Sequence, residues 1–397
     1  MPSTVLACVT SPFDDVSVDA LRRRRTVKWS LYGPDVLAAW VAEMDFDVAP
    51  PVRAALLEAV DREDFGYVPA DLTELTTACA GFLASAYDWV VTPARIFPVA
   101  DVLVGIAGAL DVFLPPAGRV VVPTPAYPPF FEIIELGGRE VVEVPMIDDA
   151  GRPTLDLGAI ATALEGGAGA VLLCNPHNPT GRAFSHDELA PLAELVDRHG
   201  ARVIADEVHG PLVYPGHRHV PYATVSAAAA EHGVTLTSAS KAWNLAGLKC
   251  AQIVMSNHAD AKRWRELPVF KVAGPTPLGI AASTAAYRSG QVWRRDLVGY
   301  LDESRRRLGE LIATELPGVA YRAPDATYLA WLDCAGLGVD APAPFFLENA
   351  RVALSDGPPF GVGNAHHVRL NFATSHALLE QIVRAMGAAT RARSLSE

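Results

Sequence analysis

Residues 234–249 read VTLTSASKAWNLAGLK. A β-branched run passes straight into three small residues and then a single lysine, Lys241, with Gly247 six positions further on. Valine and threonine favour extended backbone, so a strand is expected to end at about Ser238 and a loop to follow. Small neighbours let something bulky and rigid approach the backbone, and Ser238 and Ser240 offer hydroxyls to an anion. A lysine placed there points to an amine that reacts. The ordinary alternative is a solvated loop lysine, the usual state of this residue, and the rest of the chain has to decide.

Working outward, the same kind of strand recurs. Short β-branched runs stand at RVVV (119–122), EVVEV (140–144), GAVLLC (169–174), RVIA (202–205) and AQIVM (251–255). Helical stretches lie between several of them. In SHDELAPLAELVDRHG (185–200), Leu189, Leu192, Ala193, Leu195 and Val196 make an apolar stripe of helical period. Ser185 with Glu188 is a capping-box start, and Gly200 is a natural stop. Alternation of strand and helix from about residue 50 to 285 predicts an α/β fold with a mostly parallel sheet covered on both faces. In such sheets the loops at the carboxyl ends of the strands build the site. From about 290 the texture changes. A long helix is expected over QVWRRDLVGYLDESRRRLGELIATEL (291–316), then short strands at YLAWLD (328–333), VAL (352–354) and VRLNFA (368–373), then a closing helix from His376. This reads as a smaller α+β unit.

The chain has 397 residues, 50% hydrophobic and 20% charged, enough for one large domain with a smaller companion. Its formal net charge of −12, from 33 basic and 45 acidic residues, argues against general binding to nucleic acid or an anionic membrane. The run Arg22–Arg25 is expected to be a solvated face, with a patch for an anionic partner as the alternative. Five cysteines (Cys8, Cys79, Cys174, Cys250, Cys334) are scattered without a CxxC, which is neither a disulfide framework nor a metal pattern. A reducing cytoplasm fits, and no metal site is expected. The opening MPSTVLACVTSPFDD lacks a basic leader region, so no signal peptide is expected. The apolar stretch VLVGIAGAL (102–110) is too short to span a bilayer.

Four groups of polar residues fall at predicted strand ends or on predicted strands. NPHNPTGR (175–182) follows one strand and presents the amide of Asn178, unless it is only a rigid turn. ADEVH (205–209) follows another. Strand alternation sends Asp206 and Glu207 to opposite sides, so one of them can face a site, while His209 carries little alone. A buried carboxylate there needs a cation or strong hydrogen bonds. The third group is SASK (238–241). The fourth is VRLNFA, where Arg369 among apolar neighbours calls for a carboxylate; an internal salt bridge is the competing reading.

Singly these are weak signals, but their order is not. Asn178, Asp206, Lys241 and Arg369 occur in the order used by fold type I pyridoxal-phosphate enzymes. The chain resembles the aminotransferase class I/II superfamily, and within it the MalY/PatB cystathionine β-lyase-like family. WVAEMDF (40–46), FGY (65–67), PAYPPFF (125–131), NPHNPTGR, DEVH (206–209), SASKAWNLAGL (238–248), YLAWLD and the GPPFG…VRLNFA tail (357–373) carry that resemblance.

The resemblance implies a large pyridoxal-phosphate-binding domain over 46–288 and a small domain from 1–45 and 289–397. It implies that Lys241 bonds covalently to pyridoxal 5'-phosphate and shuttles a proton, and that Asp206 pairs with the pyridine N–H. Asn178 and His209 would donate to the 3-oxygen, and Tyr127 would stack on the ring. The phosphate would sit on the backbone N–H groups of Val102 and Leu103 at a helix start, with Ser238 and Lys249 beside it. Here the sequence departs from the family, because Asp101 stands where glycine is usual; as a helix cap it would bond its own backbone. Tyr67 would reach the phosphate across a homodimer interface. Arg369, with Asn178, would hold the substrate carboxylate. The activity implied is carbon–sulfur β-lyase chemistry on cystathionine or related L-cysteine S-conjugates, giving a thiol, pyruvate and ammonia. An aminotransferase would need the same residues, and a cofactor-holding regulatory protein is the reading from a different class.

Overall fold

The computed structural model describes residues 11–149, 151–268 and 274–395, so Cys8 and most of the opening segment lie outside the described residues. The centre is a seven-stranded sheet of β1 (Ile96–Val99), β2 (Arg119–Thr124), β3 (Glu140–Pro145), β4 (Ala168–Cys174), β5 (Arg202–Asp206), β6 (Gly233–Thr237) and β7 (Ala251–Met255). Their spatial order is β1-β7-β6-β5-β4-β2-β3. Strands β2 to β6 pair in parallel, and β7 runs antiparallel to both of its neighbours. The carboxyl ends of β1, β2, β4, β5 and β6 therefore share one edge, and β7 begins there.

Both faces of the strands are apolar because both are covered. Val120, Val122, Leu172, Ile204 and Leu236 pack under α1 (Val102–Phe113) and α2 (Pro129–Leu136). The alternate residues Val121, Leu173, Val203 and Ala205 pack under α3 (Leu157–Glu165) and α4 (His186–Arg198) on the other side. All five stripe residues of α4 are buried, and Ser185 and Glu188 close the expected capping box. Helix α1 lies very close to the sheet: a Cβ on Gly105 would stand 2.6 Å from Leu236 Cδ1. That close approach, which needs glycine, brings the start of α1 over the strand ends.

A second sheet has four antiparallel strands, β8 (Ala320–Tyr321), β9 (Leu329–Asp333), β10 (Ser355–Asp356) and β11 (His367–Asn371), in the order β8-β9-β11-β10. Helices α5 (Gln291–Glu315) and α6 (His376–Ser394) cover one face with Leu308, Ile312, Leu379 and Val383. Trp331, Arg369 and Ser355 stand opposite one another across β9, β11 and β10, and so share a face. The expected strand VAL does not join this sheet. Val352–Ala353 pairs in parallel with Leu37–Ala38 instead, and the following Ser355–Asp356 takes the place beside β11.

The segment Trp40–Phe46 runs as a strap between the two sheets. Asn371 Nδ2 donates to the carbonyls of Val41 and Glu43, both at 2.7 Å, and Asn244 brackets Met44 with two 2.9 Å bonds. Lys28 and Asp45 form an ion pair of 2.9 Å with both side chains 1% exposed, and Trp29 Nε1 donates to the same carboxylate oxygen at 2.7 Å. Removing one partner of a buried pair leaves an uncompensated charge. Asp45→Ala is therefore expected to lower unfolding free energy by about 3–5 kcal/mol, read from urea denaturation. A loss below about 1 kcal/mol would show that the strap is held by other contacts.

Candidate active site

Each sequence-derived group except Tyr67 arrives at the shared strand edge. Strand alternation decides the pair in ADEVH. Asp206, of the same parity as Ile204 and paired with Cys174, faces the side covered by α1. Glu207 turns away and is consumed: His219 Nε2 lies 3.0 Å from one of its oxygens and the Tyr222 N–H donates to the other at 2.7 Å. Glu207 thus has a structural role, and Asp206 is the carboxylate that faces the site.

Asp206 is 5% exposed and its Oδ1 accepts from the Val208 N–H at 3.1 Å. Burial pushes its pKa up to about 6, against the Val208 bond and the charge of Lys241, which lower it. A carboxylate so placed gains from a cationic N–H brought against it. Lys241 sits in the turn after β6, partly accessible in densely packed surroundings. Its Nζ donates to the Ala42 carbonyl of the strap at 3.0 Å. Burial, then the charge of Arg369, bring its pKa down to about 8, with Asp206 and Glu43 opposing. An amine in that range is in part a free base near neutral pH, as a nucleophilic lysine must be.

Arg369 is 5% exposed. Its Nη1 donates to Asn178 Oδ1 at 2.9 Å, and its Nη2 to Ser355 Oγ at 3.1 Å and the Trp40 carbonyl at 3.2 Å. The guanidinium lies 5.1 Å from the centre of the Phe360 ring. No carboxylate is among these partners, so the internal salt bridge is not formed among the described residues. Burial lowers its pKa to about 10, which leaves it charged at neutral pH. Asn178 is thereby tied to Arg369. His209 is 2% exposed, with its Nδ1 buried and without a partner among the described residues. Burial, then the charges of Lys241 and Arg369, hold it well below the usual histidine range, so it stays neutral. Tyr127 feels Arg369, Asp206 and Asp101 through space, and burial raises its pKa.

The start of α1 faces the same region. Asp101 is its N-cap, and Oδ1 accepts from the Val104 N–H at 2.9 Å. The N–H groups of Val102 and Leu103, in the first turn, have no acceptor within the helix. Lys249 Nζ pairs with Asp101 Oδ2 at 2.7 Å. Ser238 Oγ donates to the Cys250 carbonyl at 2.7 Å and accepts from the Ser240 N–H at 3.0 Å, so it braces the turn that carries Lys241. Tyr67 is apart: it is 104% exposed and borders a surface cleft of about 730 Å³ beside the helix Pro277–Ser289.

These residues suit pyridoxal phosphate. An amine of lowered pKa, a carboxylate wanting a cation, an unpartnered histidine nitrogen and open helix-start donors match its aldehyde, ring nitrogen, 3-oxygen and phosphate in kind. Sequence reasoning missed Tyr328, whose hydroxyl donates to the Ala42 carbonyl at 3.0 Å beside Lys241, and Asn244, which fixes the strap from a left-handed backbone at φ 59°. Asparagine's tolerance of that conformation was the available signal.

The aminotransferase class I and II family model matches residues 40–386. A cystathionine β-lyase of Corynebacterium glutamicum is 42% identical, covering 92% of this chain and 97% of its own. The cystathionine β-lyase PatB of Bacillus subtilis is 33% identical over 92% of this chain and 96% of its own. The PLP-bound C–S lyase of Staphylococcus hominis superposes with a TM-score of 0.89 at 26% identity, covering 96% of this chain and 99% of that one.

Proposed function

We propose that this chain, which belongs to the aminotransferase class I and II family, is a pyridoxal-phosphate-dependent carbon–sulfur β-lyase. Its substrates would be cystathionine or related L-cysteine S-conjugates, and its products a thiol, pyruvate and ammonia. The observation that carries the reading is the convergence of Lys241, Asp206, His209, Asn178 and Arg369 at one strand edge, in a chain 42% identical to a cystathionine β-lyase.

Lys241 would hold the cofactor covalently, Asp206 its ring nitrogen, Asn178 and His209 its 3-oxygen, and Tyr127 its ring face. Val102, Leu103, Ser238 and Lys249 would surround its phosphate. When bound, the cofactor supplies an electron sink for the pair left at Cα. Arg369 binds the substrate carboxylate with two parallel donors and so fixes the direction of the Cα–H bond. Lys241, as the free amine, takes the Cα proton. Tyr328 and the Ala42 carbonyl bound the position of its Nζ. The Cβ–S bond then breaks as the Cα pair closes a Cα–Cβ double bond. The sulfur leaves with its bonding pair and takes up a proton to give the thiol, and one water hydrolyses the released enamine to pyruvate and ammonia. Asp206 would pair with the ring nitrogen and so favour its cationic form.

We further propose a division into a 46–288 body and a second body of 1–45 with 289–397. A homodimer in which Tyr67 completes the partner's phosphate site accords with a side chain that is fully exposed in its own chain. No helix among the described residues is long and apolar enough to cross a membrane; a cytoplasmic setting is part of the proposal.

Pyruvate released from cystathionine with no keto acid added is the expected result. Amino transfer that needs an added keto acid, without pyruvate, would favour an aminotransferase. The pKa of Lys241 gives a second test. Below about 8 the amine is mostly protonated, so its capture by an aldehyde followed by borohydride should slow as pH falls through that value. Above it the rate should level off. A rate still climbing at pH 10, like that of an ordinary lysine, would contradict the assignment.

A further inference from the structure

We propose that Asp101 limits how firmly the cofactor phosphate is held, because its carboxylate is an anion built into the phosphate site. The proposal rests on the pyridoxal-phosphate reading above. Three observations place Asp101 there. It caps α1 and uses Oδ1 for the Val104 N–H. Its Oδ2 takes the ammonium of Lys249 at 2.7 Å. Its charge reaches Tyr127, as that of Lys249 reaches Lys241. The pair therefore belongs to the same electrostatic site as the reactive amine.

The consequence is a matter of charge. An arriving phosphate meets the two open N–H groups of Val102 and Leu103 and the positive end of the helix dipole. Lys249, a cation of the same electrostatic site among the described residues, already has a counterion. With glycine at 101 the site would keep the lysine's full charge; with aspartate its net contribution is close to nil. The side chains of Lys249 and Asp101 are 54% and 30% exposed, so solvent screens the effect and keeps it moderate.

Asp101→Asn retains an oxygen for the Val104 N–H, removes the charge and frees Lys249. Asp101→Gly removes the side chain but leaves a tolerated cap residue. Release of pyridoxal phosphate from the full-length holoprotein, followed by absorbance after dilution into a trap, should slow roughly three- to tenfold in both variants. Inorganic phosphate should compete correspondingly better for the site. Uptake of pyridoxal, which has no phosphate, should stay at the wild-type level. Release at the wild-type rate or faster in both variants would overturn the proposal and leave Asp101 as a helix cap only. Wild-type protein that takes up neither pyridoxal phosphate nor pyridoxal would overturn the cofactor reading itself, and the proposal with it.

Discussion

Lys241→Ala is expected to reduce pyruvate formation from cystathionine by about 10⁴-fold or more, with the fold intact. The size follows from two roles ending together: the covalent hold on the cofactor and the transfer of the Cα proton. Among the described residues the side chain makes one hydrogen bond, to the Ala42 carbonyl, and Tyr328 still donates to that oxygen in its absence. Thermal stability should therefore change little, and relief of a buried charge should offset the lost bond. Lys241→Arg keeps a charge but offers no free amine at neutral pH, so it should be equally inactive. Activity within tenfold of wild type in either variant would remove Lys241 from the chemistry.

Arg369→Ala should reduce kcat/KM roughly 100- to 1000-fold. Two paired donors to a carboxylate are lost, and Asn178 and Ser355 lose their common partner. Most of the loss should appear in KM, because the guanidinium binds a group that does not react. Part should appear in kcat, because an untethered carboxylate no longer fixes the Cα–H direction. Arg369→Lys should recover only a fraction, since a point charge cannot make the two-pronged pair. The control is a cysteamine thioether, which has no carboxylate. The wild-type preference for the cysteine thioether over it should collapse in Arg369→Ala, and an unchanged preference would place the carboxylate elsewhere.

The parallel core was legible because its strands are buried on both faces and so stand out as unbroken β-branched runs. Strand β1 was not legible, since Pro98 interrupts IFPV. It is tolerated because β1 is an edge strand, with Pro98 facing Gln252 of β7. VAL at 352–354 showed the right composition but not its partner, as two-residue pairings depend on where the strap is led. In the site, alternation separated Asp206 from Glu207 correctly. The occupation of Glu207 by His219 depends on a contact 12 residues away in sequence, and no local pattern contains it. The strap was visible as the motif WVAEMDF. Its use of backbone carbonyls to hold Lys241, Arg369 and Asn371 is invisible to side-chain patterning. The capping role of Asp101 was readable from its type and place, and its pairing with Lys249, 148 residues on, was not.

The most direct test of the account is to reduce the purified holoprotein with borohydride, digest it and locate the modified peptide by mass. A phosphopyridoxyl group on Lys241 and on no other lysine is expected. The same adduct on a different residue, or unmodified Lys241 in protein saturated with pyridoxal phosphate, would contradict it.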